Sequence, residues 1–349
     1  MAAREELDFV PVTEVEGPGL RGQVRGFASG PSGVHAVSRE EAVALFHAPA
    51  PAGDGGRREM VWIDVVSPGE AEALFLRDEL GFHPLAVEDC VRGRQRPKVD
   101  RYPGYFFVVV YATRINLERH RMALNEIHLF IGDHYVVTVH DKKISEVNEV
   151  VARWRANPAA FSDVATLAHA LLDRIVDGYF PVLDHFSDRV EEVEDAMFAQ
   201  AEDDRMESVL GLRRELTLFR RVVAPERDLF TTLMRRDLPF LRPELVPYFQ
   251  DVHDHVMRVT EEIDALRELL AAAVDAYLSA ASNRLNQTMR VMAAWSIILM
   301  AMAWIAGVYG MNFKVMPELE WQYGYAWALG AMLLVGAGLL GFFRRRHWL

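Results

Sequence analysis

The chain has 349 residues, a formal net charge of −12 and one cysteine, Cys90. That acidic balance argues against a general nucleic-acid surface, and a lone cysteine excludes an internal disulfide and any zinc site built from several thiolates. Hydrophobic residues make up 51% of the chain, slightly above the ordinary share, and the excess is concentrated after residue 290.

In chain order, the first 58 residues are rich in Gly, Pro and Ala, and "APAPAGDGGRR" (48–58) reads as a mobile loop. The region 1–58 is therefore taken as a partly flexible N-terminal extension. The opening residues contain no apolar run of signal-peptide length, so this end is expected to stay in the cytoplasm, a reducing compartment that suits the single thiol. "MVWIDVV" (60–66) and "GYFFVVVYATRI" (104–115) read as buried strands. "LNEIHLFIGDHYVVTVHD" (124–141) reads as two strands joined at Gly132-Asp133. Helical patterns at 69–80 and 84–92 fall between them. Residues 59–157 are thus predicted to form a cytoplasmic α/β domain.

From residue 158 to 245 the pattern turns helical. Ser162-Asp163 caps a helix running to about 199, with a bend at Pro181, and a second helix covers 203–236 with Pro225 inside it. Residues 184–207 carry ten acidic side chains against two basic ones. The plain reading is a solvated helical hairpin; the sharper one is an acidic collar that attracts cations or pairs with the basic tail.

Between Tyr248 and Val315 there is no proline, and no glycine before Gly307. Apolar or small residues recur every three or four positions from Val256 through Leu270, Leu285 and Met292, so one stalk helix is predicted to run on into a membrane span over 246–310. At 1.5 Å per residue that rod is roughly 90 Å long, and its stripe calls for partner helices from other subunits. Val291–Gly310 and Tyr323–Phe343 contain no charged side chain, and each matches the roughly 20 residues an α-helix needs to cross a bilayer. The short loop 311–322 makes them an antiparallel hairpin. Arg284 and Arg290 precede the first span and Arg344–Arg346 follow the second, in the tail 344–349. The excess of basic residues places both termini in the cytoplasm, in a cell (inner) membrane protein. Trp321, Tyr323, Tyr325 and Trp348 suit interfacial anchors.

Asn286, Met289, Ala293, Ser296, Met300, Ala303 and Gly307 share one narrow face of the first span, small or weakly polar and free of carboxylates. Small-residue helix packing explains such a face without a pore. A ring of copies of that face offers amides and carbonyls to a hydrated cation without stripping its waters, which suits Mg2+, an ion that dehydrates reluctantly. Helical spacing puts His253 and His255 on different faces, so "DVHDH" (251–255) is not expected to close a zinc site.

"YGMNF" (309–313) followed by "MPELEW" (316–321) resembles the signature of the CorA family of magnesium transporters, the two-span GMN metal ion transporters. "GFHPLAVEDC…RQRPKVDRY" (81–102), "VPYFQDVHDHV" (246–256) and the basic tail ending in Trp-Leu are similar to further family motifs. The resemblance implies a funnel-shaped homopentamer in the lipid bilayer, with Mg2+ both transported and regulatory and no organic cofactor. It implies that Gly310, Met311 and Asn312 form the outer mouth, with Asn312 holding hydrated Mg2+ and Glu318 adding negative charge. Met289, Met292 and Met300 would constrict the pore, and Asn286 would ring its inner end. The family often has threonine where this chain has Ala303, so a hydroxyl ring is missing there. Glu88 and Asp89 of one subunit would face Asp251 of the next across a regulatory Mg2+, with Asp173 and Asp177 as further candidate ligands. Co2+ or Ni2+ could also pass. The alternatives are a zinc transporter of the same superfamily, against which Met311 argues, and a membrane-anchored enzyme using the α/β domain, for which no nucleophile–base pair or phosphate loop is found.

Overall fold

Runs of β-branched and aromatic residues build one seven-stranded sheet. Its strands are β1 (Gln23–Gly30), β2 (Gly33–Val37), β3 (Val61–Val66), β4 (Lys98–Tyr102), β5 (Tyr105–Asn116), β6 (Arg121–Ile131) and β7 (Tyr135–His140), in the spatial order β2-β1-β3-β7-β6-β5-β4. The structure, a computed structural model, describes residues 22–30, 33–49, 58–116, 121–198, 205–234, 242–311, 317 and 321–348. β3 and β7 pair in parallel, Val61 opposite Tyr135 and Val66 opposite His140, and the other neighbours are antiparallel. Every residue of β3 and β7 is buried, as expected of central strands covered on both faces.

The sheet begins earlier than its expected start at residue 59. β1 pairs with β3, with Phe27 opposite Trp62, and Phe27 and Ala28 are buried. The glycines that suggest a loop serve close packing here. A Cβ at Gly26 would lie 2.7 Å from Val37 Cγ2 on β2, nearer than any real contact allows.

The connecting helices are α1 (Arg39–Phe46), α2 (Glu70–Leu74), which continues as a π-helical turn Phe75–Glu79, α3 (Pro84–Arg92) and α4 (Ser145–Ala156). The expected helix over 162–199 is two, α5 (Val164–Asp177) and α6 (Tyr179–Phe198), separated at Gly178 and not bent at Pro181. Pro181 sits in the first turn of α6, where a missing N–H costs no helical hydrogen bond. Asp163 caps α5, Oδ1 accepting from Thr166 N at 2.8 Å. Likewise 203–236 divides into α7 (Arg205–Val223) and α8 (Glu226–Leu233) at Pro225.

α9 (Val246–Tyr309) is a single helix of 64 residues. The chain divides into two compact units, one ending at Leu270 and one formed by Ala271–Leu349. In the first, Phe249, Val252, Val256, Val259, Ile263 and Leu266 bury the stripe foreseen from the spacing. In the second, α9 and α10 (Gly324–Arg345) pack through Ala294, Ile298 and Phe343, flanked by Met302, Leu339 and Trp348. Both helices are long and apolar enough to cross a bilayer, and only 11% of the most apolar stretch of each is buried.

α10 ends in a Schellman turn. Trp348 N–H donates to Phe343 O (3.0 Å) and His347 N–H to Arg344 O (3.2 Å), with His347 in the left-handed region at φ 56°. The accompanying apolar contact is Trp348 stacked on Phe343, ring centroids 5.4 Å apart.

Candidate functional site

Two groups of candidate residues stand out, one in each unit. The first starts from the helix spacing of "DVHDH". Asp251 and His255 stand four residues apart on one face of α9, and Asp173 approaches from α5. One potential ligand atom from each of Asp173, Asp251 and His255 lies within 4.8 Å of the others. Asp251 is exposed and the other two half-buried. Burial, and then the charge of Asp177 one turn along, push the Asp173 carboxyl above its ordinary range. A group held in that way is relieved by a cation. Nδ1 of His255 is sealed from solvent and has no hydrogen-bond partner, and Phe180 stands edge-on to the ring. Two carboxylates and one imidazole could hold a divalent ion whose remaining positions stay hydrated, and the imidazole adds affinity for softer metals such as Co2+ or Zn2+.

His255 is the residue that sequence reasoning missed. Its separation from His253 holds, since His253 turns to Asp254 (3.3 Å). The available signal was the four-residue spacing to Asp251 rather than the His pair.

Glu88 and Asp89 do not join this cluster within one chain. They lie on α3, which begins at Pro84 and ends at Gly93, whose φ of 61° suits glycine. The next two N–H groups, of Arg94 and Gln95, donate to the Glu126 carboxylate on β6 at 2.5 and 3.0 Å. Asp89 pairs with Lys98 Nζ (2.8 Å), which also meets Asp100 (2.6 Å), and Glu88 pairs with Arg92 (2.5 Å). The side chain of Cys90 on α3 is buried. Asp177 is exposed.

The second group lies on α9 beyond Leu270. Ala294 and Ile298 face α10, with Met302 a turn further on the same side. Asn286, Met289, Ala293, Ser296, Met300, Ala303 and Gly307 all remain exposed, as does Met292. At 100° per residue they centre nearly opposite the Ala294–Ile298 face. α9 therefore uses one side to hold its hairpin partner and leaves its small, weakly polar side uncovered. The bulky Trp295, Leu299 and Trp304 are exposed on the flanks. Gly310 closes α9, its N–H reaching Ala306 O at 2.9 Å, and Met311 follows in an exposed position. Asn312 and Glu318 lie outside the described residues.

The sequence profile of the family described as CorA-like Mg2+ transporter protein matches residues 57–345. The Bacillus subtilis protein YfjQ is 35% identical over 288 residues, covering 82% of this chain and 89% of that protein. The cobalt/magnesium transport protein CorA of Thermotoga maritima is 30% identical over 291 residues, covering 82% and 83%. Among solved structures, the CorA magnesium transporter of Methanocaldococcus jannaschii superposes with a TM-score of 0.78 at 21% identity, covering 93% of this chain and 98% of that one.

Proposed function

The chain belongs to the family of CorA-like Mg2+ transporter proteins, and on that premise we propose that it passes hydrated Mg2+ through a homopentamer closed by cytoplasmic Mg2+. The family's members are divalent metal ion transporters in membranes. The observation that carries the finer reading is the division of labour on α9: Ala294 and Ile298 pack on α10 while the face from Asn286 to Gly307 is left open. A ring of identical chains turns one such face of each copy to a common axis. The lining then has no carboxylate to hold the ion too long. Amide and carbonyl oxygens hydrogen-bond to its water shell.

The drive is the membrane potential, about 2.3 kcal/mol per charge per 100 mV, or roughly 4.6 kcal/mol for a divalent ion. No covalent chemistry is assigned. With both termini in the cytoplasm, Asn312 and Glu318 meet the ion at the outer mouth, and the carboxylates of the first unit read its internal concentration. Glu88 and Asp89 of one subunit and the Asp173–Asp251–His255 group of its neighbour then share a regulatory ion whose departure restores repulsion between like charges and loosens the assembly. The deciding experiment is flux into liposomes of full-length protein under an imposed potential, with Mg2+, Co2+ and Zn2+ compared side by side. Wild type carries Mg2+, and Asn312→Ala falls at least tenfold. Unchanged Mg2+ uptake in the variant refutes the role of Asn312, and no uptake by wild type refutes the reading as a whole.

A further inference from the structure

The end of the hairpin at which Arg290 and Arg344–Arg346 collect has excess positive charge and no acidic residue close to it in sequence. No Asp or Glu occurs between Asp275 and Glu318, nor after Glu320. Arg284, Arg290, Arg344, Arg345 and Arg346 are exposed, and none has an ion-pair partner among the described residues. Arg290 stands one turn before Ala294, and Ala294 packs with Phe343, the residue just before the three arginines. The basic groups of both helices therefore share one end of the pair.

This tail is not a loose one. The Schellman turn uses the carbonyls of Phe343 and Arg344 for backbone hydrogen bonds, so the helix end does not need the guanidinium groups as caps. Trp348 folds back on Phe343 and the Ala294–Ile298 contact, and Arg346 lies over the Phe342 ring at 5.8 Å. The arginines are thereby held at the level where apolar helix gives way to a polar boundary, with an aromatic anchor beside them.

We propose that Arg344, Arg345 and Arg346, with Arg290, form a site for the phosphate-bearing headgroup of an anionic phospholipid on the cytoplasmic leaflet. Guanidinium groups match phosphate oxygens in charge and geometry. Juxtamembrane arginines near an anionic surface gain about 1 kcal/mol each, about fivefold in affinity. The proposal rests on the reading that α9 and α10 span the bilayer, and the test separates the two.

Full-length protein is first reconstituted in phosphatidylcholine vesicles, where a protease-protected fragment containing 291–343 reports the spans independently of lipid charge. Phosphatidylglycerol and phosphatidylcholine are then titrated onto detergent-solubilised protein and bound lipid counted by native mass spectrometry, with and without millimolar inorganic phosphate. Wild type is expected to prefer phosphatidylglycerol. The R344Q/R345Q/R346Q variant should lose about fivefold of that preference per arginine, and the corresponding triple Lys variant should keep most of it. Equal binding of the two lipids by protein that spans phosphatidylcholine vesicles overturns the proposal and leaves the spans standing. Absence of a protected fragment overturns both. Displacement by inorganic phosphate assigns the site to the free anion and overturns the lipid. A Gln variant that keeps its lipid preference but falls apart into single chains shows the arginines facing another copy, which also overturns the proposal.

Discussion

Glu226 Oε1 lies 2.7 Å from the Tyr179 hydroxyl, and both side chains are sealed from solvent. The same hydroxyl donates to Tyr111 O on β5, also at 2.7 Å. With the Tyr179 proton committed to the carbonyl, the short contact to Glu226 is satisfied by a carboxylic acid donating to the phenol oxygen. Burial pushes the Glu226 carboxyl up to about 8, against the smaller opposing effect of the Tyr179 contact, and its second oxygen has no partner. This neutral acid joins α8 to α6 and the sheet.

A native pKa raised above that of the unfolded chain means that the folded state holds its proton longer. The contribution of Glu226 to stability is complete below about pH 4 and is lost as pH rises toward 8, over a range worth a few kcal/mol. Thermal unfolding of the full-length protein between pH 5 and 9 should show wild type weakening across that range. Glu226→Gln, which cannot ionise, should weaken less, so the two curves converge or cross as pH rises. Parallel curves would count against a neutral Glu226.

Asp64 on β3 is the opposite case. Burial alone would raise its carboxyl, but hydrogen bonds from His140 and Thr138 and the charge of Arg25 outweigh it and hold the group below the usual range. Thr138 Oγ1 donates to Asp64 Oδ1 at 2.6 Å, His140 Nε2 lies 2.8 Å from the same oxygen, and Arg25 Nε donates to Oδ2 at 3.0 Å. Its stabilisation is present above the unfolded pKa and is lost as pH falls through the lower native value. Asp64→Asn is expected to cost about 3–5 kcal/mol at neutral pH, because it strands the Arg25 charge and reverses one hydrogen bond. The deficit, read from denaturation midpoints, should shrink on acidification.

Mg2+ should raise the unfolding midpoint of the wild-type protein, by the equivalent of about 2.7 kcal/mol at a hundredfold excess over the dissociation constant. Asp251→Asn should remove most of that gain. Because Asp173 takes up a proton more readily than an ordinary carboxylate, Mg2+ protection should fade early on acidification. His255→Ala should weaken Co2+ protection more than Mg2+ protection, since imidazole favours the softer ion. An unchanged Co2+ effect would remove His255 from the ligand set.

His347 occupies a left-handed position that glycine adopts without strain. His347→Gly is expected to hold the Schellman turn and gain up to about 1 kcal/mol, offset in part by the freedom glycine has when unfolded. Trp348→Ala should release the turn. Fluorescence of Trp348 in detergent reports the first change, and the rate of tryptic cleavage at Arg344–Arg346 the second.

Much of the fold could be read from the sequence because its strongest signals are periodic. β-branched runs gave β3 and β5, Gly132-Asp133 gave the β6–β7 turn, and the proline-free apolar stripe gave α9 almost to its ends. β1 and β2 escaped because a glycine such as Gly26 serves close packing between strands, and nothing local separates that use from a loop. Gly178 escaped for a similar reason: Pro181 drew attention, yet proline is harmless in a first turn. At the candidate cation site, Asp251 was visible as a motif residue and Asp173 as an acidic residue one turn from Asp177. The nearness of α5 to α9, which brings them to His255, is a tertiary fact that spacing along one helix cannot supply. The exposed face of α9 was legible from the three-and-four spacing. That Ala294 and Ile298 carry the contact with α10, nearly opposite it, was not.

Cys90 is buried on α3, and its thiol is pushed well above the ordinary range by burial and then by the neighbouring Asp89 and Glu126 charges. A thiol kept both inaccessible and protonated reacts slowly with maleimides and spin labels. The native chain therefore supplies a chemically quiet background. One cysteine introduced at a time along 286–307 would be the sole reactive handle on the molecule, and its rate of modification from either side of a vesicle would map water access along α9 without first engineering a cysteine-free parent.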